Sequence, residues 1–198
     1  MSLLQIQRFG LEVLECLCST DLASPGTCFL VEAEVPEGAV FAPLARRDSR
    51  LEGDWLEIRL DTEGAGLRAY VFKVSARGVL TDLRLRAGSD HRDFDPSWDS
   101  LFDASTRIEA TRWVAEVRIP FESLRFDPAS DVWGLHLFVR GWGVQQGLSW
   151  VPLDRDEQNW LAQAGQLSGM KGMASGRDLE FNPSLTAAWD RDPEVARP

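Results

Sequence analysis

Strict alternation of apolar and polar side chains, broken about every ten residues by turn residues, constrains this chain more than any other feature. In DWLEIRLDT, Trp55, Glu57 and Arg59 share one face while Leu56, Ile58 and Leu60 share the other. A period of two is that of a half-buried strand, whereas a helix repeats every 3.6 residues. Glu63-Gly64-Ala65-Gly66 supplies a turn, and LRAYVFKVS alternates again, with Ala69, Val71 and Lys73 opposite Tyr70, Phe72 and Val74. Arg77-Gly78 turns the chain into a third strand near 79–85. TRWVAEVRIP sets Trp113, Ala115 and Val117 opposite Val114, Glu116 and Arg118, and Pro120 ends that strand because it has no N–H to donate. DVWGLHLFVRGW, SWVPLD and RDLEFNPSLTAAW read as further strands, FESLRF as one helical turn or an extended edge, and AGSDHRDFDPSWDS as an Asp-rich loop. About six to nine short strands with no long helix predict an all-β fold, a two-sheet antiparallel β-sandwich.

Near the N-terminus, LEVLECL and CFLVEAEV flank Ala23-Ser24-Pro25-Gly26 and read as a hairpin, although Leu11, Leu14 and Cys18 also fit a helical stripe. Cys16, Cys18 and Cys28 are the three cysteines, and an odd count with C-x-C spacing fits no standard zinc pattern. They read as small buried thiols, with a bridge from Cys28 to Cys16 or Cys18 as the alternative in an oxidising compartment. A length of 198 residues suits one sandwich core. Acidic residues outnumber basic ones by 31 to 21, for a net charge of −10, so phosphate backbones and anionic lipid are repelled and no nucleic-acid partner is expected. No apolar run approaches the roughly 18 to 20 residues of a membrane helix. MSLLQIQRFGLEVLECLCST does not read as a secretory signal, because Glu12 and Glu15 interrupt its apolar stretch and no basic leader precedes it.

The ordered segments RRDSRLEGDWLEIRLDT, AYVFKVSARG, SWDSLFD, WVAEVRIPFESLRF, WGLHLFVR, WVPLDRD and GQLSGMKGM are more specific. Together they resemble the family-9 carbohydrate-binding module, and more closely the version that forms the N-terminal part of a group of bacterial outer-membrane proteins. The resemblance runs from about Leu11 to Met173. It implies a jelly-roll-like sandwich over 11–173, an unassigned stretch over 1–10, and a tail over 174–198 that is similar to the first strand of the barrel in that group. It further implies a non-catalytic module that binds carbohydrate, located in the periplasm or outer membrane and associated with an outer-membrane barrel. Two departures stand out. No I-D-G and D-E-x-W segment precedes Leu11, and the barrel-like part stops after one strand, so a shortened, soluble relative is expected.

A sugar offers an apolar face of C–H bonds and a rim of hydroxyls, and is held by aromatic planes and by groups that bond neighbouring hydroxyls in pairs. In family-9 modules two Trp sandwich the terminal sugar. By resemblance Trp160 falls on the late position, while the early one falls near Leu51, which leaves half the sandwich missing. The family's strand carboxylate falls on Glu57 and its basic residue on Lys73, and Asn159 lies beside the position of a contact amide. The chain has eight Trp against one Tyr. Trp113 and Trp133 lie in strongly alternating strands and read as packing; Trp142 and Trp150 flank VQQG and read as a cross-strand pair; Trp98 reads as a lid or a rim contact. Asp90, Asp93, Asp95 and Asp99 are candidate ligands for Ca²⁺, which family-9 modules can hold, with a solvated acidic loop that takes in His91 as the competing reading. His136 reads as a hydrogen-bonded sheet residue.

Three other classes of function compete. Related sandwich domains hold haem b between side chains such as Met, Lys or His, which would single out Lys73, His136 and Met170. A purely structural docking domain needs no small ligand. Asp154, Asp156 and Glu157 would be the paired carboxylates of a glycosidase, but three acids in four loop residues are common on surfaces, and no nucleophile elbow, phosphate loop or zinc-protease motif occurs. No catalytic residue is assigned.

Overall fold

The computed structural model describes residues 4–8, 11–18, 25–87, 94–141 and 147–173, with side chains from residue 25 onward. Among the described residues, twelve strands form two antiparallel sheets. In the first sheet, β1 (Leu4–Arg8), β2 (Leu11–Cys18), β3 (Gly26–Glu34), β9 (Arg112–Pro120) and β8 (Asp103–Ile108) lie in that order. In the second, the order is β11 (Leu148–Ser149), β10 (Val132–Arg140), β4 (Trp55–Asp61), β5 (Arg68–Ser75), β6 (Leu80–Arg86) and β7 (Phe94–Asp95), and β12 (Gly165–Ser168) also pairs with β10. The expected all-β sandwich is the observed fold.

Alternation decides what lies between the sheets. Phe29, Val31 and Ala33 of β3 and Trp113, Ala115, Val117 and Ile119 of β9 meet Leu56, Ile58 and Leu60 of β4, Phe72 and Val74 of β5, and Trp133, Leu135 and Leu137 of β10 in one buried cluster. Trp113 and Trp133 are among its largest fully buried side chains, as their strands predict. Trp150 is buried as well, its Nε1 donating to the Leu135 carbonyl at 3.2 Å, while Trp142 lies outside the described residues. Trp98 is neither lid nor rim: it packs on the core with Tyr70 at 5.0 Å and Phe72 at 5.7 Å between ring centroids.

Several local expectations change. The expected hairpin is the β2–β3 pair, and its register sets Cys16 opposite Cys28. Cys28 is disulfide-bonded, so it is not a free buried thiol. The unassigned N-terminal stretch contains β1, which pairs with β2. The Asp-rich loop contains β7, two residues that pair with β6. Of SWVPLD only Ser149 is in a strand, as the second residue of β11, and FESLRF makes one 3-10 turn at Phe121–Ser123. RDLEFNPSLTAAW lies outside the described residues.

Two loops bring the outer face of the second sheet into shape. Asp54, fully buried, accepts the Phe41 N–H on Oδ2 at 2.5 Å and donates its own N–H to the Phe41 carbonyl at 2.6 Å, which holds the long 36–54 connection against the start of β4. At the other end of β4, Asp61 accepts N–H bonds from Glu63, Gly64 and Gly66 at 3.1, 3.0 and 2.6 Å. Gly66 has φ 68°, and a Cβ there would meet Ala162 at 2.9 Å, so only glycine lets the β4–β5 turn touch the 3-10 turn at Trp160–Gln163.

Candidate functional site

The face of the second sheet that points away from the core carries the polar half of each alternating strand. Register arranges it in rows: Arg140 of β10 beside Trp55 of β4; Phe138, Glu57, Lys73 and Thr81 across β10, β4, β5 and β6; and His136, Arg59, Val71 and Leu83 below them. A cleft of about 1080 Å³ lies over this face, and the 36–54 connection contributes Phe41 and residues 48–53 to its wall.

Glu57 is the centre of the floor. Its side chain is buried, and its carboxylate accepts from Arg59 Nε at 2.5 Å and pairs with Lys73 Nζ at 3.1 Å. Opposite-charge neighbours two apart along a strand and directly across the ladder make this triplet a product of period-two geometry. Burying a carboxylate costs several kcal/mol unless paired, roughly, and here two cations pair with it. Aromatic rings support both cations. Lys73 Nζ lies 5.1 Å from the Trp55 ring centroid and 5.2 Å from that of Phe94, and the Arg59 guanidinium lies 4.6 Å from Phe138 and 5.9 Å from Phe94. Donors, an acceptor and aromatic planes therefore share one concave floor.

The structure thus brings two of the four expected sugar-site residues together, Glu57 and Lys73. The other two stand apart from them. Trp160 opens the 3-10 turn and lines a separate hollow of about 130 Å³, which meets the main cleft only through Arg59 and Phe94. Asn159 Nδ2 donates to the Gly66 carbonyl at 3.0 Å, so this amide ties the turn to the β4–β5 hairpin, and its Oδ1 is buried without a partner. Leu51, where a second aromatic plane was missing, lines the cleft, and Trp55 four residues later supplies a ring there.

Residue-by-residue reasoning passed over Arg59, Phe94, Phe138 and Arg140. Three of these had a signal: Arg59 shares a face with Glu57, and Phe138 and Arg140 lie two apart on β10. Phe94 sits in Asp-rich text with no periodicity to show it.

His136 is 2% exposed, and its ring nitrogens have no partner within the sheet; the main chain at Leu161 and Trp160 lies beside them. Burial first and the Arg59 charge second push its pKa down to about 4, against opposing effects of the main chain at Leu161 and Trp160 and the Glu57 charge. The imidazole stacks on Phe138 at 5.6 Å. Met170 belongs to the core between the sheets, whereas Lys73 and His136 belong to the outer rows, so the three residues of the haem reading do not converge.

The four candidate Ca²⁺ ligands are only partly within the described residues. Asp90, His91 and Asp93 lie outside them, and Asp95 caps its own turn through Ser97, whose N–H and Oγ donate to it at 3.0 and 2.6 Å. Asp99 instead gathers with Asp48 and Asp82 at one end of the cleft. Arg47 serves that cluster, with Nη2 2.6 Å from Asp82 Oδ1 and 3.8 Å from Asp99, and Nε 3.5 Å from Asp48. Burial raises the Asp82 pKa, and Arg47 opposes the rise. Asp154 and Glu157 are exposed turn caps that accept N–H bonds from Asp156 and Asn159 at 2.9 and 3.1 Å.

No protein-family model matches the chain, and no curated protein does. Solved structures do. A candidate carbohydrate-binding protein from Bacteroides uniformis aligns over 84% of this chain and 85% of its own, with a TM-score of 0.59 and 18% identity. A family-9 carbohydrate-binding module from Caldicellulosiruptor kristjanssonii in complex with cellotriose aligns over 92% and 88%, with a TM-score of 0.53 and 13% identity. The fold is that of a family-9 carbohydrate-binding module. A structure of a module from the same organism in complex with glucose aligns over 89% and 83%, with a TM-score of 0.51 and 14% identity. The family-9 fold accounts for the two sheets. At these identities it speaks for the architecture alone, and the chemistry of the cleft has to be argued from its own residues.

Proposed function

We propose that this chain is a non-catalytic carbohydrate-binding module and that its sugar site is the cleft over Trp55, Glu57, Lys73 and Phe94. The observation that carries this reading is the doubly paired, buried Glu57 carboxylate set between aromatic rings. Adjacent hydroxyls of a pyranose require a donor and an acceptor side by side, and Lys73, Glu57 and Arg59 offer them in one row-to-row step. Trp55 and Phe94 offer apolar faces next to those groups. The fold supports the same reading, since neighbours with this architecture are in complex with glucose and cellotriose.

Titration with glucose and cellotriose, followed by intrinsic Trp emission and by calorimetry, tests it. Saturable binding at millimolar sugar is expected, with Trp55→Ala and Lys73→Met each weakening it by about tenfold or more. Lack of any response at millimolar sugar, or full affinity in both variants, overturns the proposal.

We further propose that the module serves an outer-membrane or periplasmic assembly devoted to carbohydrate capture. The disulfide at Cys28 supports this, because such bonds persist in oxidising compartments. Recovery of the protein from the periplasmic or outer-membrane fraction of its cells is expected, and recovery from the cytosol alone contradicts the assignment.

A further inference from the structure

The charges on the cleft are unevenly distributed. One end is acidic: Asp48, Asp82 and the neighbouring Asp99 share the single cation Arg47. At the rim, Arg50 and Glu52 are both exposed and offset one another. On the floor the balance differs: Arg59, Lys73 and Arg140 face a single carboxylate, that of Glu57. Arg140 ends β10 beside Trp55, is exposed, and makes no ion pair or hydrogen bond among the described residues. Arg59 spends Nε on Glu57, and no described residue accepts from its two Nη groups. In a chain of net charge −10, a floor with an excess of two positive charges is not a by-product of composition.

We infer that the cleft selects sugars bearing a carboxylate, such as uronic acids, over their neutral counterparts; this rests on the carbohydrate-binding reading above. A carboxylate accepts two parallel N–H bonds from a guanidinium, a geometry that neutral hydroxyls do not reproduce. The side chains of Arg59 and Lys73 are only 15% and 19% exposed, so a charge placed beside them is screened less than at an open surface. A neutral sugar leaves the floor's excess charge as it found it. A uronate neutralises half of it while its ring still meets Trp55 and Phe94.

Calorimetry of the full, disulfide-intact chain with glucose and glucuronate decides the matter, run at about 20 mM and about 500 mM NaCl, with acetate as the non-sugar anion. Glucuronate is expected to bind about tenfold more tightly than glucose at low salt, with the ratio shrinking several-fold at high salt. Arg140→Gln, which halves the floor's excess charge, lowers the ratio several-fold, whereas Arg107→Gln, the same charge change on β8 of the other sheet, leaves it in place, and an unchanged ratio in Arg140→Gln overturns the selectivity. Equal or tighter binding of glucose overturns the selectivity and leaves the carbohydrate reading standing. Binding of neither sugar overturns both. Acetate binding as tightly as glucuronate also overturns the selectivity, since the cleft would then be reading charge without a sugar.

Discussion

Glu57 and His136 show how much one buried side chain depends on what surrounds it. They stand on neighbouring strands of the same sheet face, and both are 2% exposed. Glu57 keeps two cations against it, while His136 has Arg59 as its cross-strand neighbour and no side chain paired with either nitrogen. Protonating that imidazole would place a cation in a buried site beside a guanidinium, and this holds its pKa at about 4 against an ordinary 6.5. Between those two values the unfolded chain binds the proton and the folded chain does not. Stability therefore falls as pH drops from about 6.5 to about 4, by up to about 3 kcal/mol, and the loss from this group levels off below that. NMR titration of the His136 ring is expected to give a midpoint near 4. A midpoint at or above the ordinary value would show that the ring is solvated or paired. The sequence marks His136 as a strand residue between Leu135 and Leu137, but whether its nitrogens find partners depends on the remote 3-10 turn at Trp160–Gln163, which no local pattern foretells.

At the scale of elements, the β4–β5 hairpin positions the site, and Asp61 fixes its turn. Three N–H groups converge on that one carboxylate, which is 3% exposed. Asp61→Ala leaves the Glu63 and Gly66 N–H groups without that acceptor, while Gly64 keeps the main-chain carbonyl of residue 61 at 3.2 Å, and is expected to cost about 2 kcal/mol, read as a lower urea midpoint with unchanged slope. Asp61→Asn, which keeps one carbonyl oxygen, should recover part of it; no loss in the alanine variant would mean that water replaces the carboxylate. Strands of seven to nine residues such as β4, β5, β9 and β10 were legible because apolar and polar positions repeat often enough to define a face. β7 and β11, at two residues each, contain no period to read. β8, with its sequence DASTRI, borders the sheet with mostly exposed side chains, so it lacks the apolar half of the pattern. That Glu57 and Lys73 lie side by side on one face was legible because both sit on long alternating strands. Trp160 and Asn159 were placed by family position alone, on a short turn whose packing against Gly66 turns Asn159 into a structural tie.

At the scale of the molecule, one sheet and the core beneath it back the outer face of the other. The tryptophans divide along the same line. Trp113, Trp133 and Trp150 are buried and Trp98 packs on the core, while Trp55 stands on the cleft floor next to Lys73. That division makes the central claim open to direct observation through the indole N–H resonances, which report each ring separately. During titration of the full chain with glucuronate and with cellotriose, the Trp55 indole resonance is expected to move progressively to saturation, while those of Trp113 and Trp133 stay in place. A Trp55 resonance that remains fixed at saturating sugar, or shifts confined to Trp160, would contradict a sugar site on the outer face of the second sheet.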